Sequence, residues 1–156
     1  MKVLELIADG GFGRVERVRL SSGKLAARKT FSVRADIAAV TDVEKLRKRF
    51  SREVRIQSSL PTDKFIPVIG QGLEDDPPWF LMSLADRNFE MEINSAKKAQ
   101  EVPKEALAQI LDSLEHIQSM HMTHRDLKPS NVLLHEGRWK LAILVLLLCR
   151  RVKPRS

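Results

Sequence analysis

Eight consecutive residues, His124-Arg125-Asp126-Leu127-Lys128-Pro129-Ser130-Asn131, constrain this chain more than any other stretch. They follow an amphipathic helical segment and set an acid, a cation and an amide at short fixed offsets. Asp126 can accept a proton from an attacking hydroxyl, and Lys128 can neutralise charge on a moving phosphoryl group. Asn131 can offer its amide oxygen to a hard cation such as magnesium. The plainer alternative is a polar turn after a helix, with Pro129 and Ser130 as the turn residues. What precedes the stretch decides between the two.

From Val3 to Leu20 short apolar runs flank Ala8-Asp9-Gly10-Gly11-Phe12-Gly13-Arg14-Val15, a pattern that predicts strand, glycine turn, strand. Glycines let backbone N–H groups come close to phosphate oxygens where a side chain would collide. After a turn at Ser21 to Lys24, Leu25 to Phe31 predicts a third strand in which Ala27 and Lys29 share a face. Asp42 to Leu60 is helical by period, with Val43, Leu46, Phe50 and Val54 at three- and four-residue steps, and with Thr41 or Asp42 available as N-cap. At roughly 100° per residue, Glu53 falls inside the apolar arc. A carboxylate there needs a cation partner. Arg49, one turn earlier, is the local candidate.

Together these motifs resemble the protein kinase family. The loop at 124–131 is similar to the kinase catalytic loop. Residues 8–15 are similar to the glycine-rich loop, with Gly10 and Gly13 as its second and third glycines, Val15 as its valine, and Ala8 where the first glycine stands. Ala8 adds only a methyl group, which predicts a stiffer loop, provided that φ there is negative. The resemblance implies that Ala27 lines an adenine pocket and that Lys29 reaches the α- and β-phosphates. It favours Lys29 over Arg49 as the partner of Glu53. It also implies that Met82 backs the adenine pocket, with the backbone of Ser83 to Ala85 along the base edge. Asp126 is then the base, Lys128 the charge stabiliser and Asn131 a magnesium ligand, with His124 and Arg125 supporting the loop backbone. Lys128, two residues after Asp126, resembles the serine/threonine class more than the tyrosine class.

Elsewhere the pattern is less specific. Phe65 to Gly70 predicts a short strand, Gly72 to Pro78 a turn, and Trp79 onward another strand. Arg87 to Val102 is a polar connector with a short helix. From Pro103, a favoured first helical position, Leu107, Ile110, Leu111, Leu114 and Ile117 form a stripe expected in the core. If its kinase packing partners are lost, that stripe leaves an apolar patch. His116, His121 and His124 have no Cys or carboxylate at ligand-like offsets, which argues against zinc. After a turn at His135 to Arg138, Ile143-Leu144-Val145 stands where a kinase has Asp-Phe-Gly. The apolar run Leu141 to Cys149 is too short for a bilayer, which needs about 20 residues. It reads either as a buried strand or as a tail unrelated to the family, such as a frameshift or alternative splice produces.

The net charge of +7 permits acidic partners. The basic residues of 45–55 spread around their helix without an aromatic ladder, so a nucleic-acid-binding helix is disfavoured. Cys149 is the only cysteine, and the first residues carry acid and glycine where a signal peptide needs a longer apolar run, so the cytoplasm is expected. The expected fold is α+β. A kinase-like small lobe over 1–85, an antiparallel sheet plus one helix, precedes a partial, mostly helical large lobe over 86–142 and a divergent tail over 143–156. ATP and magnesium are the implied cofactors, and a protein hydroxyl or a full-length partner is the implied macromolecule. Turnover is expected to be impaired, and a non-catalytic, pseudokinase-type binding module is the alternative.

Overall fold

The computed structural model describes residues 1–124 and 127–142. Five strands, β1 (Lys2–Gly10), β2 (Gly13–Arg19), β3 (Leu25–Phe31), β4 (Val68–Gly72) and β5 (Trp79–Ser83), form an antiparallel sheet in the order β1-β2-β3-β5-β4. Between β3 and β4 lie a short helix α1 (Ala35–Ala38) and the long α2 (Val43–Ser58). The remainder comprises β6 (Arg87–Asn88), α3 (Phe89–Ala99), α4 (Lys104–Ser119), a 3₁₀ turn at Pro129–Asn131, β7 (Val132–His135) and β8 (Arg138–Leu141). The last three strands form a second small sheet. The expected α+β architecture, a five-stranded sheet with a helix across it followed by a mostly helical part, is the one observed.

Local chemistry accounts for the elements. Asp42, one of the two candidate caps, starts α2 by accepting a hydrogen bond from the Lys45 N–H at 3.0 Å, a contact that contributes about 1 kcal/mol. Phe50 and Val54 then bury against Phe31 and Phe80 of the sheet, the Phe50 ring lying 5.6 Å from Phe31 and 5.7 Å from Phe80. The β7–β8 hairpin turns through Glu136 and Gly137, both at positive φ (52° and 73°). Two left-handed residues match the twist of the flanking strands.

A strap joins the two parts. The Lys64 carbonyl accepts from the Leu141 N–H at 3.0 Å and from the Ser113 hydroxyl at 3.2 Å, and the Ile66 N–H donates back to the Leu141 carbonyl at 3.0 Å. Phe65 is thereby buried in a second core with Ile110, Ile117, Val132, Trp139 and Leu141. Asp112 on α4 holds both the Lys64 ammonium and the Arg138 guanidinium, which lower its carboxyl pKa.

Three expectations need correction. Phe65 to Ile66 belong to the strap rather than to a strand, and β4 begins only at Val68, because the backbone of 64–66 is taken up by β8 and α4. In α4, Leu107 and Leu111 of the expected core stripe are 41% and 59% exposed, and the buried face is Ala106, Ile110, Ser113 and Ile117. The apolar arc is wider than the buried one. Leu107 and Leu111 each sit about 100° further round than the buried residue before them, and Pro103 is the cap of α4 rather than its first residue.

His135 makes stability depend on pH. Its ring is buried, and burial together with the neighbouring Lys140 ammonium, 3.0 Å from Nδ1, lowers its pKa, with Glu136 and Asp86 opposing in part. A histidine that is harder to protonate when folded binds fewer protons than the unfolded chain as the pH falls. Its contribution is full above the unfolded value of about 6.5 and is lost as the pH drops toward the folded pKa. Urea midpoints should therefore fall between pH 7.5 and 5.5, and the fall should shrink in His135→Gln. An equal fall in the variant would assign the effect to other groups.

Candidate functional site

Strand register gathers the expected nucleotide-side residues. Ala8 pairs with Val15, Val15 with Lys29, and Ala27 with Met82. Directly paired residues, and residues two apart on one strand, point to the same side of a sheet. Ala8, Val15, Ala27, Lys29 and Met82 therefore share one face. It is the face that α2 covers, since Lys29 also pairs with Phe80 and Phe80 packs on Phe50. Ala27 is buried, whereas Lys29 and Met82 are half-buried.

The glycine turn lies at the end of this face. Ala8 is outside the left-handed region, which meets the condition set for an alanine there, and so are Gly10 and Gly13. At Gly13 the requirement is room. A Cβ there would stand 3.0 Å from the Thr30 carbonyl oxygen and 3.2 Å from Lys29 Cε, so the lysine stem runs directly against the turn. At Gly11 a Cβ would stand 2.6 Å from Ile37 Cδ1 on α1, the end of a side chain that can shift to make room.

Glu53 lies in the apolar arc of α2 and is 8% exposed. Arg49, one turn earlier on α2, donates from Nε to Glu53 Oε1 at 2.9 Å, an i,i+4 ion pair. Beyond Met82, the Ser83 N–H donates to the Pro67 carbonyl at 3.0 Å. The Ser83 N–H is therefore committed within the protein.

Around the second motif, His124 and Asn131 are buried and Lys128 is half-buried, while Arg125 and Asp126 lie outside the described residues. The Asn131 N–H donates to the Lys128 carbonyl at 2.9 Å, and its own carbonyl accepts from Ala142 N–H at 3.0 Å. Asn131 is thus tied to the residue immediately before Ile143, where an Asp-Phe-Gly motif would begin. The expected tail over 143–156 is outside the described residues. A cavity of about 460 Å³ between the start of α4 and β8, lined by Pro103, Lys104, Gln109 and Trp139 among others, contains none of the candidate residues.

Residues 1–144 match the protein kinase domain family. The chain belongs to the protein kinase family. Similar proteins include the serine/threonine-protein kinase PknD of Chlamydia caviae, 28% identical over 147 residues that cover 85% of this chain and 15% of that protein. The Aurora kinase of Schizosaccharomyces pombe is 27% identical over 140 residues, 87% of this chain and 38% of its own length. The serine/threonine-protein kinase AfsK of Streptomyces coelicolor is 30% identical over 139 residues, 86% of this chain and 16% of its own. This kinase chain therefore spans well under half of the length of these relatives. Sequence reasoning left Phe12 unplaced; it is buried in the core with Phe31, Phe50 and Phe80. An aromatic flanked by glycines at a hairpin tip is the signal that marks it, since a solvated tip has no use for a phenyl ring.

Proposed function

We propose that this chain binds ATP with magnesium at the face built by Ala8, Val15, Ala27, Lys29 and Met82, as part of a serine/threonine protein kinase machinery. The observation that supports it best is the register that puts these five side chains on one side of the sheet, with the stem of Lys29 against Gly13. The Gly10–Gly13 backbone would cover the phosphates, and Lys29 would contact them, held by Glu53. Asp126 would take the proton of a protein hydroxyl as its oxygen bonds to the γ-phosphorus and the bond to the ADP oxygen breaks. Lys128 would offset charge on the moving group, and Asn131 would hold magnesium, which supplies charge neutralisation when bound.

Turnover by this chain is weak or absent in this reading. Phosphoryl transfer depends on positioning and charge neutralisation, and Ile143 occupies the position of the second metal-binding acid. The same substitution favours a second reading, a non-catalytic module that binds nucleotide or a full-length partner. The cytoplasm fits both readings. No helix among the described residues is long and apolar enough to cross a membrane.

Thermal unfolding with and without Mg-ATP, followed by a phosphorylation assay, tests the proposal. Nucleotide at about 100 times its dissociation constant should stabilise the fold by about 2.7 kcal/mol, which raises the midpoint by several degrees. Stabilisation with little incorporation is the expected result. Rapid incorporation abolished by Asp126→Asn would overturn the prediction of weak turnover, and no stabilisation would overturn nucleotide binding.

A further inference from the structure

α2 carries more cations than the acids around it neutralise. Of the six between Lys45 and Arg55, Arg47 pairs with Asp76 at 2.8 Å, Arg49 with Glu53 at 2.9 Å and Arg55 with Glu74 at 3.5 Å. Lys45, Lys48 and Arg52 have no ion pair among the described residues, and all three are exposed. The six together spread around the helix. At about 100° per residue, however, these three fall within about 60° of one another, in a stripe about 10 Å long on the side opposite the buried Phe50 and Val54. Like charges one turn apart destabilise a helix, and no acid among the described residues offsets that cost along the stripe. A strip of opposite sign runs alongside. The loop between β4 and β5 presents Glu74 and Asp76, whose side chains are 93% and 86% exposed. Its ties to Arg55 and Arg47 lay it along one flank of α2, and the exposed Glu44 adds to the same flank.

We propose that this surface docks a second copy of the chain, with the Lys45, Lys48 and Arg52 stripe of each copy against the Glu44, Glu74 and Asp76 strip of the other. A twofold axis lying along the border between the strips sets opposite charges face to face on both sides at once, which is the self-complementarity that an isologous contact requires. The two α2 helices then run parallel. A nucleic acid or an acidic membrane would meet the three carboxylates together with the cations, so the mixed pattern favours the second copy over either. The net charge of +7 opposes the contact little at 0.1 M salt, where charges farther apart than about 10 Å are screened. Pairs of exposed charges are individually weak. The contact is therefore concentration-dependent and sensitive to salt.

Sedimentation of the full chain, from about 10 to about 500 µM, reads the contact. At 0.1 M salt the mass should climb toward that of a dimer, and about 0.5 M salt should weaken association by about tenfold or more. A mass that stays monomeric throughout, or association indifferent to salt, would overturn the proposal. Charge reversal then locates the surface. A stripe variant carries Lys45→Glu, Lys48→Glu and Arg52→Glu, and a loop variant carries Glu74→Lys and Asp76→Lys. Each alone should be monomeric, since like charges now oppose. Mixed in equal amounts they should associate, because the acidic stripe of one meets the basic loop of the other and the reciprocal pair is intact. A mixture as monomeric as its components would overturn the pairing of stripe with loop. The milder Lys48→Gln with Arg52→Gln changes exposed side chains alone and leaves the folded helix in place. It should weaken self-association by about tenfold, and association equal to that of the parent would place the contact on another surface.

Discussion

Replacing Phe50 by alanine should cost about 3–5 kcal/mol, the range for removing a fully buried aromatic ring from a packed core. Phe50 is 1% exposed and touches Phe31 and Phe80 at centroid separations of 5.6 and 5.7 Å. With Val54 it fastens α2 to the sheet, so the loss would loosen the helix that carries Glu53. Urea unfolding followed by circular dichroism reads the effect. The same substitution at Leu111, which is 59% exposed on α4, should change stability by less than about 0.5 kcal/mol. Comparable losses at the two positions would mean that the aromatic cluster is not the centre of the fold.

Lys29→Met should weaken Mg-ATP binding by about 30-fold or more. Truncating one partner of a desolvated charge pair costs about 2–5 kcal/mol, and every 1.4 kcal/mol is a factor of ten. Methionine keeps the apolar stem that lies against Gly13, so the fold should survive. The neighbouring cation supplies the control. Arg28 points to the opposite side of β3, where it pairs with Glu16 at 2.6 Å. Arg28→Met should lose that pair and leave nucleotide affinity within about twofold, since it faces away from the proposed site. Isothermal titration of the two variants decides the matter. Equal losses would indicate a nonspecific effect of net charge, and an unaffected Lys29→Met would remove the lysine from the site.

Much of the architecture could be read from local pattern. The alternation around Ala27 and Lys29, the spacing of Phe50 and Val54, the cap at Asp42 and the glycine-marked turns each depend on interactions within a few residues, which a linear chain displays directly. The family was legible for the same reason, since its motifs are short and dense. The failures are all long-range. Phe65 looks like a strand residue until β8 and α4 take up its backbone. Leu107 and Leu111 look like core, because helical period marks an apolar arc without stating which part of it meets a neighbour.

Residue order alone therefore specified most of the strands, the main helices, the shared side of Ala27 and Lys29, and the kinase kinship, because periodicity and turn chemistry act at short range. Whether Phe12 stands in solvent or in the core, and which part of the α4 arc is buried, depends on how separate elements pack against one another. That packing is the outcome of many side chains from separate elements competing for one volume. No local pattern carries it, and it became visible only once the elements had been brought together.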